Sequence, residues 1–162
     1  MNAIALDQVR APSFTHLFTM RADLAPSLDS GEGPQGRRAF NTVSKGEFAG
    51  PRLNGEILPG SGDWMATRGG VRVIDARVVL KTDDGALIHM TYGGRAMIPA
   101  EIVPQILDAK ARHLVDPARY YFRTAPMFET GAEKYAWLNG IVCAGIGRIT
   151  EDGVGYDVFE LT

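Results

Sequence analysis

Cysteine is almost absent from this chain. Cys143 is the only one, which excludes an intramolecular disulfide framework and fits a reducing compartment. It stands in the apolar run Gly140-Ile141-Val142-Cys143-Ala144-Gly145 and reads as a small buried hydrophobe. Neither sign of charge is in excess. With 17 Lys+Arg against 19 Asp+Glu the net charge is -2, so no general attraction to nucleic acid or anionic lipid is expected. Long hydrophobic runs are missing too: none reaches the ~18 residues that cross a bilayer. Met1 to Asp7 shows no basic region leading into an apolar core. A signal peptide is therefore not expected, and a cytoplasmic location is. Internal repeats and low-complexity tracts are also lacking.

Common catalytic motifs are absent as well: no G-x-S-x-G, no Walker loop, no H-E-x-x-H and no Cys/His metal cluster. No metal and no cofactor are expected. Gly60-Ser61-Gly62 precedes no helix and makes a poor phosphate cradle. His16, His89 and His113 are far apart in sequence and read as surface or helix-end residues.

What is present is turn chemistry. The chain has 19 glycines and 9 prolines in 162 residues, which favours many short elements. A hydrophobic share of 45% and a charged share of 22% suit one globular domain over residues 1–162. Strand signals dominate. The candidates are Phe14–Leu24, Arg38–Ser44, Gly55–Leu58, Asp63–Thr67, Arg72–Thr82, Ala86–Tyr92, Tyr120–Phe128, Tyr135–Ile149 (interrupted near Asn139-Gly140) and Gly155–Leu161. In the first, Phe14, His16, Phe18, Met20 and Ala22 share a face. Asp83-Asp84-Gly85 reads as a hairpin turn, and so does Glu151-Asp152-Gly153. Gly93-Gly94 is expected to end its strand, and Ser27–Gly36 to be a loop. Ile102, Val103, Ile106, Leu107, Ala111 and Leu114 recur at helical spacing, predicting one helix closed by Asp116-Pro117. Many antiparallel strands with one helix need their edges removed. A closed or nearly closed barrel does this, and a β-sandwich is the alternative.

Candidate site residues are polar groups on strands that should be apolar. Asp75 and Arg77 share a face with Val73, Val79 and Lys81. They form either a charged pair inside a cavity or an ion pair on the outer surface, since a narrow barrel cannot bury them without a large desolvation cost. Arg123 shares a face with Tyr121 and either binds a carboxylate or enolate oxygen or pairs with Glu129. Tyr135, Trp137 and Asn139 are spaced as one strand face, forming either a pocket wall or a core aromatic cluster. Asp63, next to Trp64, is either a base or a turn former.

Four separated segments carry a resemblance. They are Gly50-Pro51-Arg52-Leu53-Asn54-Gly55-Glu56-Ile57-Leu58-Pro59-Gly60-Ser61-Gly62-Asp63-Trp64, Thr82-Asp83-Asp84-Gly85-Ala86-Leu87-Ile88, Tyr120-Tyr121-Phe122-Arg123-Thr124-Ala125-Pro126 and Tyr135-Ala136-Trp137-Leu138-Asn139. Together they resemble the bacterial family called domain of unknown function 3237, over about Ser13 to Leu161. The resemblance implies an all-β fold: an antiparallel, lipocalin-like barrel of about eight to ten strands with one short helix, assembled as a homo-oligomer. It implies no settled activity. Its segments put Asn54, Asp63, Trp64, Asp75, Arg77, Arg123, Trp137 and Asn139 at motif positions.

Three functions are compatible with these residues. The first is a cofactor-independent isomerase, lyase or cyclase acting on a small hydrophobic or aromatic carbonyl compound. In it Asp75 or Asp63 is the base, Arg77 and Arg123 stabilise an enolate, and Tyr92 or Tyr121 relays the proton. Asn54, Trp64, Trp137 and Asn139 would contact the ligand. The second is a carrier or sensor of a small apolar ligand. The third is a structural barrel with a filled interior.

Overall fold

A computed structural model describes residues 10–162; Met1 to Asp7, read above for a signal sequence, lies outside them. Ten strands form one antiparallel sheet: β1 (Phe14–Leu24), β2 (Leu28–Gly33), β3 (Gly36–Ala49), β4 (Asn54–Ile57), β5 (Gly62–Arg68), β6 (Val71–Thr82), β7 (Leu87–Met97), β8 (Tyr121–Glu129), β9 (Cys143–Ile149) and β10 (Gly153–Leu161). The sheet closes because β1 pairs with both β10 and β3. Eight strand positions make the ring. β4 and β5 share the position between β3 and β6, and β2 pairs with the part of β3 beyond the reach of β1. The closed barrel, rather than the sandwich, leaves almost no free edge.

Period-2 alternation sets the inside and outside of each wall. Along β6, Ile74, Ala76, Val78, Leu80 and Thr82 are buried while Asp75, Arg77 and Lys81 are exposed. The β6–β7 hairpin turns where expected: Gly85 has φ +87°, and its N–H donates to the Thr82 carbonyl at 2.8 Å. The kink between β4 and β5 is tied by buried Ser61. Its hydroxyl donates to the Leu58 carbonyl at 2.7 Å and accepts the Val79 N–H at 3.0 Å. Gly60-Ser61-Gly62 is thus a barrel corner.

Several expectations are corrected. Ser27–Gly36 is largely strand: β2 pairs by backbone with β3, and main-chain bonds ask nothing of side-chain polarity. Strand β7 runs through Gly93-Gly94 to Met97. Gly94 permits this because a Cβ there would sit 2.5 Å from the Arg123 carbonyl oxygen on β8. A register shift between His16 and Phe18 leaves Phe14 and His16 outside while Leu17, Phe18, Met20 and Ala22 are buried. The expected helix is broken. A 3-10 turn, Ala100–Ile102, leads into α1 (Val103–Leu107), and further 3-10 turns cover Arg112–Leu114 and Pro117–Arg119. The Asp108 carboxylate accepts the Lys110 N–H at 2.9 Å, a local bond that competes with helix continuation. The segment Glu133–Gly140 is 3-10 helix and not strand. Its buried residues, Tyr135 and Leu138, are three apart, the 3-10 period.

The barrel interior is divided along its axis. At the end where β3 meets β4, β6 meets β7 and β8 meets β9, apolar side chains fill it. Phe18, Leu53, Ile57, Leu80, Ile88, Met90 and Leu138 are almost wholly buried there, with the Phe18 ring 5.5 Å from Phe48 and 5.9 Å from Phe128. Cys143 is buried and free, and burial pushes its thiol up to about 11, which suits a packing role. The opposite end is hollow. Among the described residues no helix is long and apolar enough to cross a membrane.

Candidate functional site

The hollow end encloses a cavity of about 900 Å³, within the size range of small-molecule sites. Its wall is mainly apolar, with Met20, Val43, Ile57, Ile74 and Phe122 among the lining residues. Ile106 and Leu107 of α1 cover part of its mouth. Polar side chains also reach it, Asn41, Asp29 and Arg37 among them. Asp63, Tyr92 and Tyr156 line the cavity, while Arg72 and Arg112 line it from β6 and from the α1 segment.

Asp63 reaches the cavity because β5 alternates: Asp63, Met65 and Thr67 line it, while Trp64 faces out. Asp63 is paired across the sheet with Ala76 of β6. Trp64 and Met65 pair with β3 but not with β6, and in that gap the Asp75 N–H donates to Asp63 Oδ1 at 2.9 Å. Burial pushes the Asp63 carboxyl up to about 6. The Asp75 charge adds to this, and the Asp75 N–H bond opposes it. Tyr92 (β7) and Tyr156 (β10) meet edge to face, with ring centroids 5.5 Å apart. Phe122 packs against Tyr156 at 5.2 Å. Burial raises both tyrosine hydroxyls above their ordinary value; the hydrogen bond between the two opposes this at Tyr92 and adds to it at Tyr156, and the nearby Asp63 charge raises both further. Both phenols therefore stay protonated as hydrogen-bond donors. A carboxyl that exchanges its proton near neutrality beside two phenol donors can carry general acid–base chemistry.

Of the residues singled out by sequence, Asp63 and Tyr92 meet at this cavity. The others are elsewhere. The Asp75–Arg77 pair stands on the outer surface, with Nη1 to Oδ1 at 3.1 Å and both side chains about half exposed (54% and 53%). Of the two placements open from sequence the outer one is found, which corrects the candidate catalytic roles of Asp75 and Arg77: the inner face of β6 belongs to the even-numbered residues. Trp64 is also outside, stacked on Phe40 at 4.6 Å and covered by the Arg77 guanidinium. Tyr121 and Arg123 lie on the outer face of β8, with the guanidinium over the ring at 5.2 Å. Asn54, Trp137 and Asn139 are at the packed end. Asn54 Oδ1 accepts the Gly50 N–H at 3.1 Å, Trp137 lies under Arg52, and Asn139 exchanges two hydrogen bonds with the Thr130 backbone.

Sequence reasoning missed Tyr156, Arg72 and Arg112. For Arg72 a signal existed: it shares the face of Ile74, Ala76, Val78 and Leu80, where a charge is out of place. For Tyr156 the signal was its alternation with Val154 and Val158 along β10. Arg112 sits in the broken helix and carried none. Among the described residues no group of three or more His, Cys, Asp or Glu side chains converges as a metal site would.

A closed antiparallel barrel, packed at one end and hollow over a carboxyl and two phenols at the other, defines the class: a β-barrel with an internal cavity. The chain belongs to the family described as protein of unknown function (DUF3237), whose model matches residues 12–161. It is 36% identical over 150 residues to a UPF0311 protein of Clostridium acetobutylicum, covering 91% of this chain and 93% of that one. Its fold superposes with a TM-score of 0.86 and 28% identity on the crystal structure of a conserved protein of unknown function from Rhodopseudomonas palustris, over 95% of this chain and 100% of the other. A more distant relative is the hydroalkoxylation enzyme phnH of Penicillium herquei, 27% identical over 136 residues, 83% of this chain and 73% of that protein.

Proposed function

We propose that this protein is a cofactor-independent enzyme of the isomerase, lyase or cyclase kind, acting on a small hydrophobic or aromatic carbonyl compound in the barrel cavity. The observation that carries this reading is Asp63. It is a carboxyl at the cavity wall, pushed up to about 6 by burial and neighboured by Tyr92 and Tyr156. The hydroalkoxylation activity named for the distant relative supports redox-neutral chemistry of this type.

For a cyclisation the step balances without a co-reactant. The Asp63 carboxyl gives its proton to an alkene or enol carbon as a hydroxyl of the same substrate attacks the neighbouring carbon. A C–H and a C–O bond form, and the π bond and the O–H bond break. The Asp63 carboxylate takes the hydroxyl proton and is ready again. The Tyr92–Tyr156 pair donates a hydrogen bond to the substrate carbonyl oxygen and holds the substrate in place for this transfer. The protein acts in the cytoplasm. It works as a homo-oligomer, a state supported by exposed Tyr121, Met127 and Ile146 on the outer face of β8 and β9.

A second reading, a non-catalytic carrier or sensor, is favoured by the mainly apolar wall. Mass spectrometry of small molecules released from the purified native protein separates the two. The recovered compound is returned to wild-type protein and to Asp63→Asn. An enzyme converts it to an isomer of unchanged mass, or to two fragments for a lyase, at a rate at least ~100-fold above the variant. A carrier returns it unaltered from both.

A further inference from the structure

The basic groups around the cavity are not equivalent. Arg37 is paired with Asp29, Arg21 with Asp23 and Asp152, and Arg148 with Asp157. Arg72 and Arg112 differ. Both line the cavity, yet among the described residues neither has a carboxylate within ion-pair distance. Arg112 Nε is buried without a hydrogen-bond partner among those residues. Arg72 is half-buried on the apolar inner face of β6, and burial lowers its pKa. An unsatisfied guanidinium donor withdrawn from water is costly. Of the acids at the mouth, Asp29 and Asp152 are held by Arg37 and Arg21, and Glu151 is exposed.

We propose that the ligand of this cavity is a carboxylate, held near the mouth by Arg72 and Arg112, whose ring system extends inward to Asp63. The inference rests on the cavity being the ligand site, as proposed above, and adds the substrate's charge and shape. A guanidinium presents a planar fork of donors matched to a carboxylate. The spacing sets the ligand's length. Arg72 is four residues along β6 from Ala76, the cross-strand partner of Asp63, a separation of about 13 Å at ~3.3 Å per residue. A molecule of two or three fused rings bearing a carboxylate bridges that distance once the arginine side chains reach inward. The same separation keeps the ligand's charge away from the Asp63 carboxylate.

Two flat probes of equal size, 2-naphthoate and 2-naphthamide, test this by titration calorimetry on the intact protein at pH 8. Naphthoate is expected to bind at least ~10-fold more tightly, the effect of one or two charge-assisted hydrogen bonds. Arg72→Gln and Arg112→Gln should each weaken naphthoate by about tenfold and naphthamide by clearly less. The wild-type comparison decides by itself if a variant fails to fold. Equal affinity of wild-type protein for the two probes overturns the carboxylate assignment while leaving the cavity as the ligand site. Binding of neither probe removes the cavity reading and this inference with it.

Discussion

Asp63 Oδ1 accepts the backbone N–H of Asp75 at 2.9 Å. A carboxyl facing the cavity is thus tied to the main chain of a residue whose own carboxylate faces solvent. The bond fixes the Asp63 rotamer and opposes only part of the desolvation that raises its pKa. Asp63 is therefore held in place without being held ionised, which suits a group that must gain and lose a proton.

The raised value has a definite effect on stability. Folded Asp63 binds its proton more tightly than the unfolded chain does. The native state therefore loses stability as the pH rises from the ordinary carboxyl value of 3.8 through about 6. Asp63→Asn keeps the oxygen that accepts the Asp75 N–H and removes the charge. It should stabilise the protein at pH 8 by on the order of 2–3 kcal/mol, at ~1.4 kcal/mol per pKa unit, and by much less at pH 4.5. Urea unfolding at the two pH values checks this. A variant that is more stable but inactive is expected where function holds a strained group.

Asp75→Asn and Arg77→Ala act on a half-exposed outer pair. Each should change stability by no more than about 0.5 kcal/mol and leave naphthamide affinity unaltered. Calorimetric binding with urea unfolding measures both, and a large loss of affinity would put the outer face of β6 back into the site.

Asp84 lies at the packed end of the barrel. Lys134, Thr82 and Tyr135 all donate to its carboxylate, and these bonds, Lys134 first, lower its pKa. The stability they contribute is present above the ordinary value of 3.8 and is lost as the pH falls below it. Asp84→Asn should lower the Tm at pH 7, and the gap from wild type should narrow in acid. Thermal melts followed by circular dichroism over this range test the sign.

Gly147 backs the cavity wall. A Cβ there would sit 2.5 Å from Cγ of Phe122, whose ring lines the cavity and packs on Tyr156. Gly147→Ala should push that ring inward, destabilise the fold by ~1–3 kcal/mol through overpacking and weaken naphthamide binding. Unfolding and binding measured on one preparation give both effects.

The barrel was largely legible in the sequence because its cues are local. Asp83-Asp84-Gly85 marks a hairpin, and the alternation of Ile74, Ala76, Val78 and Leu80 marks an inner face. What escaped depends on distant partners. β2 is polar and glycine-rich, and only the β3 backbone makes it a strand. Tyr135, Trp137 and Asn139 alternate like a strand, but their segment follows the three-residue spacing of Tyr135 and Leu138. The site was half legible for the same reason. Asp63 and Tyr92 can be read from their strands, but the charges at Asp75, Arg77 and Arg123 are as conspicuous in the sequence as Arg72 on its apolar face. Which face is inner follows from sheet closure, and closure is not encoded in any one strand.

The claim that Asp63 is the acid–base group of the cavity is tested most directly by carbon-13 NMR titration of the aspartate side-chain carboxyls in wild-type protein and in Asp63→Asn. One resonance, absent from the variant, should titrate with a midpoint near 6 and shift when 2-naphthamide binds. Titration of every aspartate below about 4.5, the range of solvated carboxyls, would contradict it.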